Sequence, residues 1–289
     1  MSAISDTDAL RLQYGSDACL RVRQDIHGKY SVPQLNFTEW VLKRVTWRGD
    51  ETILDLGSGP GAYYPYLSRR YPGITYHGLD RSGAMLTNHP APNNLLQADA
   101  QQLPYADSSF DVVMANHMLY HIPDIDAAVR EIKRVLKPSG VLVASTNSIQ
   151  TMPEFQALFH RGLLLLSTPG NVYARFSLAE HAPFTLENGT GLLSRHFFAV
   201  VRHDLPGLLV FPDVEPVMAY LESWRSIREP QLPQGVKWDD LMLIVREQIS
   251  RVVSHFGELT VQKISGVLVA SSRGGFIKDF VARSGGGAS

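Results

Sequence analysis

Leu54-Asp55-Leu56-Gly57-Ser58-Gly59-Pro60-Gly61 is the stretch on which the fold turns. It completes Thr52-Ile53-Leu54-Asp55-Leu56, a short apolar run of the kind found in strands buried on both faces. The glycines then lead into a segment expected to be helical as far as Tyr71, where Pro65 is tolerated only in the first turn. A glycine loop between a strand and a helix lets backbone N–H groups come close to a ligand. Dinucleotide-binding loops space their glycines G-x-G-x-x-G. Here the third glycine comes one residue early, and an acid, Asp55, stands two residues before the first.

The pattern continues on both sides. Ile74 to Leu79 reads as a second strand ending on Asp80, and Leu95 to Ala98 as a third ending on Asp99. Phe110 to Ala115 is a fourth strand, closing near Asn116, and Val141 to Ala144 a fifth. Between the last two, Ala128, Val129, Ile132, Val135 and Leu136 share one helical face, with Arg130, Glu131, Lys133 and Arg134 opposite. Strands alternating with helices imply a parallel sheet with right-handed crossovers. Upstream, residues 16–28 read as a helix capped by Ser16 and stopped by Gly28, and a second helix starts at Asn36 with Glu39 completing a capping box. Downstream, 151–166, 213–228 and 238–256 read as helices, and 197–201, 208–211 and 266–270 as strands.

With these elements in place, residues 36–147 resemble the core of a class I S-adenosylmethionine-dependent methyltransferase. The likeness is greatest to the small-molecule group that includes the ubiquinone/menaquinone-biosynthesis enzymes. It rests on Leu54 to Gly61, on Gly78-Leu79-Asp80, and on Ala98-Asp99-Ala100 running into Leu103-Pro104. Phe110-Asp111, Leu119-Tyr120-His121 and Arg134-Val135-Leu136-Lys137-Pro138-Ser139-Gly140 complete it. The resemblance implies an α/β, Rossmann-like, seven-stranded, mostly parallel sheet in the order 3-2-1-4-5-7-6. It also implies a single domain over 1–283: an N-terminal helical lid (1–35), the cofactor-binding core (36–147), and a sheet edge with a helical substrate cap made by C-terminal insertions (148–283). The tail, 284–289, reads as a disordered end.

The same resemblance assigns S-adenosyl-L-methionine as cofactor, with S-adenosyl-L-homocysteine as product, and distributes roles. Gly57, Ser58 and Gly59 line the methionine moiety and ribose. Asp55, in the loop mouth, holds the cofactor's ammonium. Asp80 accepts from the ribose hydroxyls, Arg81 lies along the adenine, and Asp99 with Ala100 meets the adenine amino group. Asn116 offers a backbone carbonyl near the methionine. Tyr14 and Tyr30, flanking the first helix, are expected to close over the sulfonium, since an aromatic face attracts a cation. Arg23 and His27, four apart on that helix, can meet an acceptor's carboxylate or form a solvated face.

Methyl transfer from a sulfonium is an in-line displacement on carbon, so the protein has chiefly to align the acceptor and exclude water. An acceptor with an acidic O–H or protonated N–H needs a base as well. His117 and His121, just after the fourth strand, are the candidates, with Tyr120 beside them; a structural role for each stays open. The aromatic residues Phe155, Phe159, Phe211, Tyr220 and Trp224, among others in the second half, suit a core and an apolar acceptor pocket.

Charge narrows the classes further. The 289 residues carry 27 Lys+Arg and 28 Asp+Glu, a net charge of −1, and no segment is strongly skewed. That balance argues against a nucleic-acid partner, as does the absence of an Asn/Asp-Pro-Pro-aromatic motif at Asn116-His117-Met118-Leu119. The single cysteine, Cys19, rules out a Cys-based zinc site and fits poorly with thiolate-dependent methylation, and no metal is expected. The expectation is therefore a cytoplasmic, metal-independent methyltransferase acting at O, N or C of a small, apolar or aromatic acceptor, without a membrane or nucleic-acid partner. The alternative is a catalytically silent cofactor- or partner-binding subunit on the same fold. A nicotinamide oxidoreductase is disfavoured by the glycine spacing.

Overall fold

The computed structural model describes residues 18–166 and 183–273. Tyr14, the Ser16 cap, Tyr173, Phe176 and the 284–289 tail lie outside them.

Eight strands are hydrogen-bonded in the order β1-β7-β8-β6-β5-β2-β3-β4. They are β1 (Ser31–Val32), β2 (Thr52–Leu56), β3 (Thr75–Asp80), β4 (Leu95–Gln97), β5 (Phe110–Asn116), β6 (Leu136–Asn147), β7 (Ala199–Phe211) and β8 (Leu259–Ser271). Without β1, a two-residue strand the sequence does not announce, the order is the expected one. β2 pairs in parallel with β3 and β5, β3 with β4, and β5 with β6, while β6 and β8 run antiparallel. The apolar run in β2 fits its place: the strand pairs on both edges, and Ile53, Leu54 and Leu56 are fully buried, as in strands covered on both faces.

The chain divides into two compact units. Among the described residues, one comprises 37–149, 183–205 and 265–273. It holds β2 to β6, α2 (Phe37–Leu42), α3 (Tyr64–Arg70), α4 (Gly83–Leu86), α5 (Ile125–Val135) and α7 (Leu186–Ser194), together with the first part of β7 and the last part of β8. α5 follows its periodicity closely. Asp124 caps it, its carboxylate accepting from Ala127 N at 2.9 Å, and Ala128, Val129, Ile132 and Val135 are buried. The motif residues at the foot of the sheet are structural. Asp111 accepts from Thr52 N at 3.0 Å and Lys137 Nζ at 2.7 Å, joining the starts of β2, β5 and β6. Arg134 donates to the carbonyls of Leu103 and Tyr105 and to Glu131.

The other unit comprises 18–36, 150–166 and 206–264 of the described residues. It holds α1 (Ala18–Tyr30), β1, α6 (Pro153–Leu166), α8 (Val214–Glu222), α9 (Arg225–Arg228) and α10 (Trp238–Phe256). Its core packs Phe155, Phe159, Phe211, Tyr220, Trp224 and Trp238 in one cluster. α6 and α10 approach closely at Gly162, where a Cβ would stand 2.5 Å from Leu241 Cδ1. The five aromatic residues named above for an acceptor pocket or a core, Phe155, Phe159, Phe211, Tyr220 and Trp224, are spent on this core.

Several local expectations change, among them the helix expected over 213–228, which is two, α8 and α9. α1 does not stop at Gly28 but runs on to Tyr30. The strands expected at 197–201 and 208–211 are one strand, β7, carrying an exposed Pro206, a residue tolerated where no ladder N–H is needed. Residues 186–194, given no element from sequence, form α7.

Candidate functional site

The expected cofactor residues of the sheet unit lie at the carboxyl ends of β2, β3, β4 and β5. Asp55 is in register with Gly78 on β3 and Met114 on β5, and Leu56 with Leu79 and Ala115. The loop after β2 has Gly57, Gly59 and Gly61 at φ of +63°, +54° and +78°, a backbone region that side chains other than glycine rarely occupy. It is pinned by Ser58 N donating to Leu79 O at 3.0 Å and Gly61 N to Ser58 O at 2.9 Å. A Cβ on Gly57 would lie 2.6 Å from Met118 Cβ, and one on Gly61 2.6 Å from His89 Nε2. Gly78 of the second motif is also a matter of space, since its Cβ would meet Leu95 at 2.8 Å and Ser58 Oγ at 3.1 Å.

Asp80 joins loop and strand tip. Its Oδ2 accepts from Gly59 N at 2.9 Å and its Oδ1 from Ser82 N at 2.8 Å. Burial pushes its carboxyl above the usual range, against backbone N–H bonds from Ser82, Gly59 and Arg81 that favour the charged form. Arg81 is exposed. Ala98 N donates to Asp80 O at 3.1 Å, carrying the chain into Asp99 and the buried Ala100. The Asp99 carboxylate accepts from both the backbone N and the side-chain Nε2 of Gln101, at 2.9 and 3.0 Å, so its orientation is set from within its own turn.

Asp55 departs most from expectation. It does not lie open at the loop mouth: it is 1% exposed, with Tyr76 Oη donating to its Oδ2 at 2.8 Å. Burial raises its carboxyl to about 7, the Tyr76 bond pulling down and the charge of Asp80 pushing up. Tyr76 and His89 are the residues that sequence reasoning does not single out. Tyr76 shares the strand face of Gly78 and Asp80, which is the one signal that points to it.

At the end of β5, both Asn116 side-chain atoms, Oδ1 and Nδ2, are buried without a hydrogen-bond partner among the described residues, as is Ser58 Oγ. Unpaired buried amides are rare enough to point to a ligand. His117 follows at φ +53°, its N donating to Ser145 O at 3.0 Å. Its ring lies 5.2 Å from Phe37 and 6.3 Å from Tyr120, which lies 4.4 Å from His121 in a short 3-10 turn, Leu119–His121. A histidine held in this region is a backbone outlier of the kind that collects at functional sites.

In the other unit, Tyr30 packs on Phe211 at 5.1 Å, and His27 Nε2 lies 3.0 Å from Tyr220 Oη. Arg23 is half-buried on the same helix. Among the described residues no group of three His, Cys, Asp or Glu is arranged to hold a metal, and no helix is long and apolar enough to cross a membrane.

Comparison with known proteins agrees with the fold. A family model described as methyltransferase domain matches residues 54–144. The malonyl-[acyl-carrier protein] O-methyltransferase of Legionella pneumophila is 34% identical over 110 residues, covering 36% of this chain and 39% of that one. The ubiquinone/menaquinone biosynthesis C-methyltransferase of Citrifermentans bemidjiense is 26% identical over 186 residues, covering 58% and 79%. The chain thus spans well under two thirds of the length of the first relatives it matches. Among solved structures, a phosphoethanolamine N-methyltransferase of Haemonchus contortus shares the fold, with a TM-score of 0.56 at 18% identity over 93% of this chain and 61% of that one. Residues 54–144 thus resemble a methyltransferase domain.

Proposed function

We propose that this chain is an S-adenosylmethionine-dependent methyltransferase acting on a small acceptor of apolar or aromatic character, at O, N or C. The observation that carries it is the Asp80–Gly59 bond, which makes the ribose-binding acid and the glycine loop one piece. The Asp80 carboxylate already accepts three backbone N–H groups, and of its roughly four lone-pair sites one remains for a ribose hydroxyl. The unpaired Asn116 amide and Ser58 hydroxyl supply further polar contacts at the same strand ends. These residues suit a ligand with a ribose, a polar base and an amino-acid end.

When bound, the cofactor supplies an electrophilic methyl carbon. The protein's own part is to orient and desolvate. Gly57, Ser58, Gly59, Asp80, Arg81, Asp99, Ala100 and Asn116 hold the ligand, and Asp55 faces its ammonium from below the loop. Tyr14 and Tyr30 keep the lid role proposed for them. His117 and His121 are the groups next to β5 able to accept an acceptor's proton. The relatives' names cover O- and C-methylation, so they leave the acceptor atom open. A cytoplasmic setting belongs to the same proposal.

Asp80→Ala should weaken S-adenosylhomocysteine binding at least tenfold, about 1.4 kcal/mol. Unchanged affinity by calorimetry would remove the assignment. The acceptor is reached by supplying a methyl-labelled cofactor with metabolite extracts and identifying the labelled product. Cofactor binding without any labelled product from any extract would instead favour a silent binding subunit.

A further inference from the structure

Beneath the glycine loop, three polar side chains form a chain with a fixed direction. Ala91 N donates to His89 Nδ1 at 3.0 Å, so the neutral ring carries its proton on Nε2. Burial lowers the pKa of His89, which keeps the ring neutral at pH 7. Nε2 lies 3.2 Å from Tyr76 Oη and therefore donates to it. The Tyr76 hydroxyl, held in its neutral form by burial and by the nearby Asp55 charge, spends its own proton on Asp55 Oδ2 at 2.8 Å. All three side chains are buried. The loop rests on this chain: a Cβ on Gly61 would stand 2.6 Å from both His89 Nε2 and Pro90 Cδ. That contact explains the early third glycine, because the imidazole occupies the space a side chain would need.

We propose that Tyr76 and His89 are positioning residues, and that the relay from His89 through Tyr76 to Asp55 fixes this carboxylate under the loop to receive a cationic group, the α-ammonium of the S-adenosyl cofactor. This rests on the function proposed above. The three groups divide the work. His89 orients Tyr76 and props Gly61, Tyr76 stabilises the ionised carboxylate, and Asp55 meets the cation. Among the described residues, the other titratable groups coupled to this pair are Asp80 on β3, whose charge opposes the ionisation of Asp55, Tyr63, and Tyr64 beside Tyr76. None of them is a cation. The ligand's ammonium would therefore supply a positive charge that none of these groups provides, and its arrival should drive the carboxyl proton to solvent. The step balances as neutral carboxyl plus ammonium giving carboxylate–ammonium pair plus one proton taken up by buffer.

The test is calorimetric binding of S-adenosylhomocysteine to the full chain between pH 6 and 8.5, in buffers of differing ionisation enthalpy. Wild type should release a fraction of a proton near neutral pH. Tyr76→Phe removes the one side-chain donor found on the carboxylate among the described residues, so its affinity should be about fivefold lower at pH 7 and recover about one pH unit higher. His89→Phe should move the curve the same way by less, and His89→Gln, which restores an N–H donor, should bring it back. Affinity equal to wild type in Tyr76→Phe, or lowered by one constant factor at every pH, would overturn the relay. Where Tyr76→Phe fails to fold, the His89 pair decides by the same curve. If wild type binds no S-adenosylhomocysteine, the cofactor reading itself falls; if wild type binds and the variants match it, only the relay does.

Discussion

Asp55 shows at the scale of one residue what sequence can and cannot announce. Its place before a glycine loop is plain from the chain, but its burial and its partners are not. Tyr76 and His89 lie 21 and 34 residues further on, and strand register and the turn after α4 bring them beneath the loop. The consequence is a pH dependence with a definite sign. The folded carboxyl titrates near 7, far above an unfolded aspartate. The folded state therefore holds the extra proton between about pH 4 and 7, and the stability this contributes is full below the unfolded value and lost as pH rises through 7. Asp55→Asn, which cannot ionise, should be more stable than wild type at pH 8 by roughly 2 kcal/mol or more without ligand, and the gap should close toward pH 4. Urea unfolding at the two pH values measures it, and a gap independent of pH would contradict the buried-carboxyl account. His121→Ala belongs at the same scale. If His121 accepts the acceptor's proton, turnover should fall by about 10²-fold or more while S-adenosylhomocysteine affinity stays within about twofold; unaltered turnover would leave it a structural histidine.

At the scale of elements, the segments legible in sequence are those with one dominant physical signal. β2 is an apolar run paired on both edges and buried at Ile53, Leu54 and Leu56, and α5 shows an apolar stripe with a capping aspartate. Sequence and structure part where signals compete. Gly28 suggests a stop, yet α1 passes through it, and a Cβ there would meet nothing within 4 Å. Neither packing nor backbone requires a break at that point. α7 escapes a reading from sequence although it carries a recognisable start: Thr185 Oγ1 accepts from Asn188 N at 3.3 Å, and Asn188 Oδ1 accepts from Thr185 N at 2.8 Å. The reciprocal pair is a capping box with asparagine in place of glutamate. Thr185 is almost fully buried, so truncation removes both the cap's hydroxyl and a packed methyl group. Thr185→Ala should cost about 1–2 kcal/mol, and Thr185→Ser much less. Equal losses for the two, read from urea midpoints, would assign the effect to the methyl group and not the cap.

At the scale of the whole molecule, the chain order conceals how the units are composed. The helical unit is drawn from three separated stretches, and 183–205 with 265–273 return to the unit that carries the glycine loop. A linear reading places everything after 147 in one block because the segments leaving and re-entering a unit look alike in composition. The crossings fall within continuous strands, at Leu205–Pro206 on β7 and Ile264–Ser265 on β8, with no linker-like composition to mark them. The residues proposed to hold the cofactor from the sheet side all belong to one unit, and this makes the proposal testable by ligand-linked protection. Saturating S-adenosylhomocysteine, at about 100 times its Kd, should stabilise the state that binds it by about 2.7 kcal/mol. Amide exchange should slow at 57–61, 80–82 and 116–118, where the N–H groups of Gly59, Ser82 and His117 are already bonded and would now be shielded by ligand. Protection that also reaches 18–30 would support the lid role proposed for Tyr30 and its helix. Protection confined to the loop and the strand ends would remove that role while leaving the cofactor assignment intact, and protection absent from 57–61 would remove both.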